Sequence, residues 1–310
     1  MKDRELVPII LGPTASGKTA VAVRVAQFID AEIISADSRQ VYSGMDIGTG
    51  KDLDEYVYHN NMIPYHLIDI VPAGYKYNLY EFMQDFLTAY SDIVERHKTP
   101  LVCGGTGMYV ESIIKKYNLL KVPENTDFRE KCEHYSYDEL VAELSKYKTM
   151  HNTSDIDSKK RLIRALEIAT YEYKYGRSQN QSIEVPYEPC VIGINLSRDV
   201  RRKRISQRLY NRLDEGLLNE VYALLEKGVS HEVLQYYGLE YKFASLYIQK
   251  QISYSEFTQL LQTAIFQFAK RQMTWFRGME RRGIRIHWVD GELPVDEQVN
   301  HIVCLLTQKS

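Results

Sequence analysis

Gly12-Pro13-Thr14-Ala15-Ser16-Gly17-Lys18-Thr19 fits the pattern G-x-x-x-x-G-K-[ST] at every fixed position. Glycines let such a loop curl until several backbone N–H groups face one anion. A helix starting at the loop's end adds partial positive charge. Lys18 is then placed to contact phosphate oxygens, and the Thr19 hydroxyl to ligate Mg²⁺. The expected chemistry is the gripping of a diphosphate or polyphosphate. The loop alone does not choose between a kinase, a hydrolase and a transferase.

Two further segments carry candidate groups. Ser35-Ala36-Asp37-Ser38-Arg39-Gln40-Val41-Tyr42 holds Asp37, which suits a metal ligand, a general base or the cap of the segment that follows. Gly104-Gly105-Thr106-Gly107 suits either a tight turn with a threonine cap or a second set of donors. Basic residues gather at Lys159–Arg164, at Arg198–Arg212 (with Arg204 and Arg208 one helical turn apart), and at Lys270–Arg285. Such runs are usually solvated helix faces, but three of them segregate positive charge in a chain of net charge −2, which favours a polyanionic partner. Tyr171, Tyr173, Tyr175, Trp275 and Phe276 stand beside them and could stack on bases, although core packing accounts for most such aromatics.

The elements that must position these groups can be read from apolar spacing. Val7–Leu11 is a buried strand, and 18–28 an amphipathic helix after the loop. Ala31–Ser35 is a second strand, and His66–Ile70 a third. Leu79–Arg96 is a helix, Pro100–Cys103 a strand and Thr106–Lys115 a helix. Strands alternating with helices imply an α/β fold: a P-loop NTPase-like parallel sheet flanked by helices. In such a sheet the strands' carboxyl ends converge on a ligand crevice, which brings Asp37 toward the P-loop. From Pro123 to about Pro186 the chain is polar and reads as helical. The division is therefore 1–121 as the first part of the core, 122–186 as a helical insertion and 187–310 as a helix-rich second part. That part has a return strand at Cys190–Leu196, helices at 200–212, 216–227 and 253–277, and a last strand at Ile284–Val289.

Composition bounds the remaining possibilities. At 310 residues, 44% hydrophobic and 26% charged, the chain is ordinary for a globular protein. Cys103, Cys132, Cys190 and Cys304 form no C-x-x-C pair, which argues against a zinc site and for a reducing compartment. No run of about 18 apolar residues suggests a membrane span, and Met1–Glu5 opens no signal peptide. A cytoplasmic monomer is expected.

Taken together, several blocks resemble the bacterial tRNA dimethylallyltransferase family, also called tRNA isopentenyltransferases. They are the loop at 12–19, Ser35–Tyr42, Gly44–Thr49, His66–Asp69, Gly104–Gly107, Arg161–Glu167 and Ala269–Phe276. The resemblance runs through nearly the whole chain in the same order. It implies transfer of a dimethylallyl group from dimethylallyl diphosphate to N6 of the adenosine 3′ of the tRNA anticodon. Under it, residues 12–19 hold the leaving diphosphate, with Mg²⁺ as cofactor. Asp37 is the base, Thr106 positions the reactants, and Arg208 neutralises the departing group. Asp37, Ser38, Arg39 and Gln40 meet the target nucleotide. Lys160, Arg161, Leu162, Ile163 and Arg164 make the insertion a tRNA-binding domain that grips the anticodon stem-loop, and Ala269–Phe276 lies near RNA. The chain departs from the family at Gly48-Thr49-Gly50-Lys51-Asp52, where Gly-Thr-Ala-Lys-Pro is usual, and at Cys103, where a small aliphatic residue is usual. Gln235–Glu240 follows its block only loosely. Transfer to free adenine nucleotides and nucleotide kinase activity are the competing readings; the insertion and the later blocks argue against both.

Overall fold

The computed structural model describes residues 5–147, 158–176 and 187–308, so parts of the expected insertion, at 148–157 and 177–186, and residues 1–4 lie outside the described residues. The chain forms two compact units, Met1–Tyr117 with Pro186–Ser310, and Asn118–Val185.

The first unit is built on six strands: β1 (Glu5–Leu11), β2 (Ala31–Ser35), β3 (Tyr65–His66), β4 (Thr99–Gly104), β5 (Tyr187–Asn195) and β6 (His287–Asp290). They lie in the order β6-β5-β1-β4-β2-β3, and every pairing is parallel. Val7, Ile9, Ile10 and Leu11 of β1 have no exposure at all, as does the Ile33–Ile34 pair of β2. This is why these strands read as continuous apolar runs: a parallel sheet is covered on both faces. Helices that cover it include α1 (Lys18–Phe28), α2 (Leu79–Glu95) and α3 (Gly107–Ile114). Helix α2 begins with a reciprocal capping box between Asn78 and Glu81, which supplies two of the N–H partners a helix start lacks.

The third strand is shorter than the expected 66–70. Leu67 and Asp69 take left-handed backbone angles, φ 62° and 57°, which end the extended ladder after His66. The turn serves a purpose. Asp69 reaches the ammonium of Lys51, which is 1% exposed and also bonds the Tyr42 carbonyl at 2.8 Å. Lys51 thereby ties the 42–51 loop to the end of the sheet.

The second unit contains α4 (Thr126–Glu133), α5 (Tyr137–Ser145) and α6 (Lys159–Tyr175). Its core is Cys132, Leu140, Leu144, Leu162, Ile163, Ala165, Leu166 and Ala169. Leu162 and Ile163, expected at an RNA surface, are 0% and 3% exposed. Apolar side chains on the inner stripe of an amphipathic helix pack inward, so the RNA expectation for these two side chains is corrected.

The remaining helices are α7 (Arg198–Asp214), α8 (Leu217–Glu226), α9 (His231–Tyr237), α10 (Leu239–Ile248), α11 (Tyr254–Arg281) and α12 (Val295–Thr307). Helices α9, α10 and α12 were not expected from the sequence.

Candidate active site

The P-loop leaves β1 and turns through left-handed angles at Ala15 (φ 60°) and Gly17 (φ 83°) before α1 begins at Lys18. These alternations aim successive N–H groups to one side, as an anion-binding concavity requires. Lys18 and Thr19 line a cavity of about 500 Å³ at the carboxyl ends of the strands. That size suits a small-molecule site. Burial pulls the Lys18 ammonium below the usual lysine range, while the neighbouring Asp37 carboxylate acts in the opposite sense.

Asp37, just beyond β2, lines the same cavity. One of its oxygens accepts the Arg39 N–H at 2.9 Å, so the residue caps a tight turn rather than a helix. Thr106 occupies the position before α3, yet its hydroxyl does not cap that helix. It accepts the Ser38 N–H at 3.0 Å and lies 3.3 Å from the Ser38 hydroxyl. The ends of β2 and β4 are thus stitched side by side. The double-glycine segment is a site of close approach: a Cβ on Gly107 would sit 2.4 Å from Trp275 Cδ1. Trp275 itself lines the cavity. Cys103, in the strand end beneath, is buried, and its thiol is pushed up to about 12 by that burial.

Of the residues expected at the nucleotide, Ser38, Arg39 and Gln40 all line the cavity. The Gln40 amide is occupied within the protein, bonding the Ser35 hydroxyl at 2.8 Å and the Gly50 carbonyl at 3.0 Å. Arg39 lies over the ring of Tyr236, which is half exposed.

Helix α7 brings Arg208 to the cavity, where it pairs with Asp52 and reaches the Gly50 carbonyl at 3.4 Å. One turn earlier, Arg204 bonds the Ser16 carbonyl at 3.3 Å and so holds the P-loop from outside.

Two residues whose parts were not foreseen organise the walls. Gln272 on α11 donates to the Gly105 carbonyl at 2.8 Å and accepts the Thr14 N–H at 2.8 Å, bridging the two glycine segments. The sequence block Ala269–Phe276 pointed to this stretch, but to RNA rather than to loop bracing. Glu220 on α8 takes the N–H groups of Asp46, Ile47 and Gly48 at 2.7, 2.7 and 3.0 Å, and the Tyr241 hydroxyl at 2.7 Å. No local signal marks Glu220, whose partners are more than 170 residues away on one side.

The basic clusters divide. Arg282 makes a two-pronged bond to the buried Glu111 carboxylate, at 3.0 and 2.7 Å, and is structural. Arg201, Arg198 and Arg277 instead lie near one another; burial and then the other two guanidinium groups draw Arg201 below the usual arginine range. Phe276 is wholly buried and serves the core. In the second unit Lys160 and Arg161 are exposed, whereas Arg164 bonds Glu167 and donates to the Val122 carbonyl at 2.9 Å. Tyr173 is 80% exposed.

Family comparison decides what this arrangement belongs to. A family model described as IPP transferase matches residues 40–279, and one described as isopentenyl transferase matches residues 6–64. The chain belongs to the IPP transferase family. It is 53% identical over 310 residues to a tRNA dimethylallyltransferase 2 of Phocaeicola vulgatus, covering 100% of both chains. It is 52% identical to a Parabacteroides distasonis protein named tRNA dimethylallyltransferase 1, covering 96% of each. Among solved structures it resembles the tRNA isopentenylpyrophosphate transferase of Bacillus halodurans, with TM-score 0.71 and 31% identity over 98% of this chain and 96% of that one. The IPP transferase fold therefore accounts for the parallel sheet and the P-loop.

Mg²⁺ takes few protein ligands, keeping water and substrate phosphate oxygens for the rest. Among the described residues no group of three or more His, Cys, Asp or Glu is arranged to hold a metal. Thr19 lines the cavity beside Lys18. Among the described residues no helix is long and apolar enough to cross a membrane.

Proposed function

We propose that this protein transfers a dimethylallyl group from dimethylallyl diphosphate to N6 of the adenosine immediately 3′ of a tRNA anticodon, releasing diphosphate. The observation that carries the proposal is that the P-loop residues Lys18 and Thr19, the acid Asp37, Thr106 and Arg208 line one cavity.

The chemistry follows from what the uncatalysed reaction lacks. The N6 lone pair is delocalised into the ring, and the diphosphate leaves with growing negative charge. N6 forms a bond to the allylic carbon, the carbon–oxygen bond breaks, and its electron pair stays on the diphosphate. The N6 proton passes to Asp37, which has an oxygen beyond the one held by Arg39. Residues 12–19 and Arg208 stabilise the departing charge. Mg²⁺, held by Thr19 and the diphosphate itself, would supply further charge neutralisation. Thr106, tied to Ser38, holds the base and the reactants in register. An anticodon-loop adenine must be turned out of its stack to reach this cavity. Ser38 and Arg39, with Trp275 and Tyr236 as aromatic surfaces, suit that nucleotide. Lys160 and Arg161 suit the phosphates of the stem-loop. The protein acts as a monomer in the cytoplasm, where its RNA substrate is.

Purified protein supplied with Mg²⁺, dimethylallyl diphosphate and unmodified tRNA is expected to yield N6-dimethylallyladenosine on nucleoside analysis. Absence of product with every tRNA of the native cell would overturn the proposal. Asp37→Ala is expected to slow transfer by about 10²–10⁴-fold, the range for loss of a general base. An unchanged rate removes Asp37 from that role.

A further inference from the structure

Arg212 lines the cavity but has no part in the chemistry above. It lies one turn beyond Arg208 on α7, and its side chain is 9% exposed. Its Nε and Nη2 atoms are buried without a hydrogen-bond partner. The carboxylates around it stand off, Asp52 at 3.8 Å and Glu240 at 4.0 Å. Leaving two buried guanidinium donors unmet is costly, because each gave up a bond to water. Such a group is poised for an anion that the protein itself does not provide.

The surroundings name that anion by its chemistry. A second cavity, of about 320 Å³, shares Lys18, Thr19, Arg208 and Arg212 with the first, and the hydroxyl of Ser16 on its wall is also buried without a partner. These five groups donate to oxygen or carry positive charge, and Arg204 joins them on the wall, while Asp52, Glu55 and Glu215 are the carboxylates that balance them there. The 48–52 loop is shaped around the arginines. A Cβ on Gly50 would lie 1.6 Å from Arg212 Nη2 and 2.4 Å from Arg208 Nη2. Alanine, usual in the family at this position, would collide with both guanidinium groups as they are placed here. Asp52, where proline is usual, supplies the carboxylate that Arg208 holds and Arg212 approaches.

We propose that Arg212 is a second phosphate-binding arginine of this chain, closing with Arg208 on the diphosphate of the prenyl donor. Its planar fork can take two phosphate oxygens at once, which a single point charge cannot do. The diphosphate replaces two distant carboxylates by direct bonds, and Asp52 is the internal competitor it displaces. Burial, and then the neighbouring Arg208, draw Arg212 below the usual arginine range, against the opposite pull of Glu240 and Asp52. The inference rests on the donor reading given above.

The test measures inorganic diphosphate with Mg²⁺ and, separately, an anticodon stem-loop RNA, each binding to the full chain. Arg212→Gln is expected to weaken diphosphate binding about tenfold or more, the scale of a lost charge-assisted bond, and to raise KM for dimethylallyl diphosphate. RNA affinity should stay unchanged, and Arg212→Lys should recover part of the loss. Diphosphate affinity within about twofold of the native chain, with Lys18→Ala still losing it, overturns the role of Arg212 and leaves the donor reading standing. Loss of RNA affinity with diphosphate binding intact also overturns it, placing the guanidinium on an RNA phosphate. If the native chain itself fails to bind diphosphate, the donor reading falls and the inference with it. Should Arg212→Gln not fold, Arg212→Lys carries the test: with the charge kept and the planar fork lost, diphosphate should still bind more weakly than to the native chain, and native-like affinity overturns the proposal.

Discussion

On α6, Arg164 turns back onto its own unit, bonding Glu167, which is 4% exposed, and the Val122 carbonyl. Arg129 reaches the same carboxylate at 2.8 Å. On α7, Arg208 pairs with Asp52 and reaches the Gly50 carbonyl at 3.4 Å, and among the described residues Arg212 meets no carboxylate closer than 3.8 Å. The two helices carry similar runs of positive charge in the sequence. Their difference lies in the counter-ions. A buried carboxylate turns an arginine into a structural strut; its absence leaves the charge for a ligand. Only the fold determines which case holds, because the acid is not a neighbour in sequence on α7.

That contrast can be broken in order of expected effect. Arg208→Ala should lower prenyl transfer by about 10²–10³-fold, the scale of losing one donor to a developing anion, while melting changes little. A rate loss explained wholly by unfolding would erase the distinction between the helices. Glu167→Ala should do the reverse. It should destabilise the Asn118–Val185 unit by about 2–3 kcal/mol, below the full cost of breaking a buried pair because Arg129 and Arg164 both reach solvent. Diphosphate affinity, read by calorimetry, should not move.

Acid should reproduce that loss. Burial raises the Glu167 carboxyl, but the bonds from Arg129, the Asn125 N–H and Arg164 outweigh it and hold the group below the usual carboxylate range. Its contribution is complete above the unfolded carboxylate's pKa. It is lost as pH falls through the lower folded value. Thermal melts from pH 6 downward should show the native unit weakening and the Glu167→Ala unit weakening less; parallel curves would remove Glu167 as the cause. Smallest of all, Lys160→Ala should weaken stem-loop binding modestly and reduce its salt slope by about one unit, leaving stability alone. An unaltered slope returns Lys160 to an ordinary solvated face.

What could be read beforehand divides along the same line. The P-loop, β1, β2, β4 and α1 were legible because their signals are local: apolar runs, glycine spacing and a helix that starts at Lys18. Asp37 and Thr106 were legible as candidates, since chemical type and position after a strand marked them, whereas Arg208 was one member of a basic run until the family resemblance singled it out. Leu162 and Ile163 entered the RNA set through the family resemblance, although their apolar type already pointed inward. Glu220 and Gln272 could not be read, because each acts on backbone groups brought near by the fold. Helix α9, with Tyr236 and Gln235 among its seven residues, has too little apolar period to declare itself. Helix α12 did have it, at Val295, Val299, Ile302 and Leu306, and was legible in principle.

The grip of Glu220 on three consecutive N–H groups makes a second anion cradle beside that of the P-loop, filled by the chain itself. The cradle at 46–48 is occupied from within by a carboxylate that never dissociates from the chain. A phosphate arriving at this face therefore finds the three N–H groups at 46–48 already engaged. The filled cradle acts as a decoy already sprung: it sets the shape of the loop beforehand and removes a wrong address for the donor's charged end.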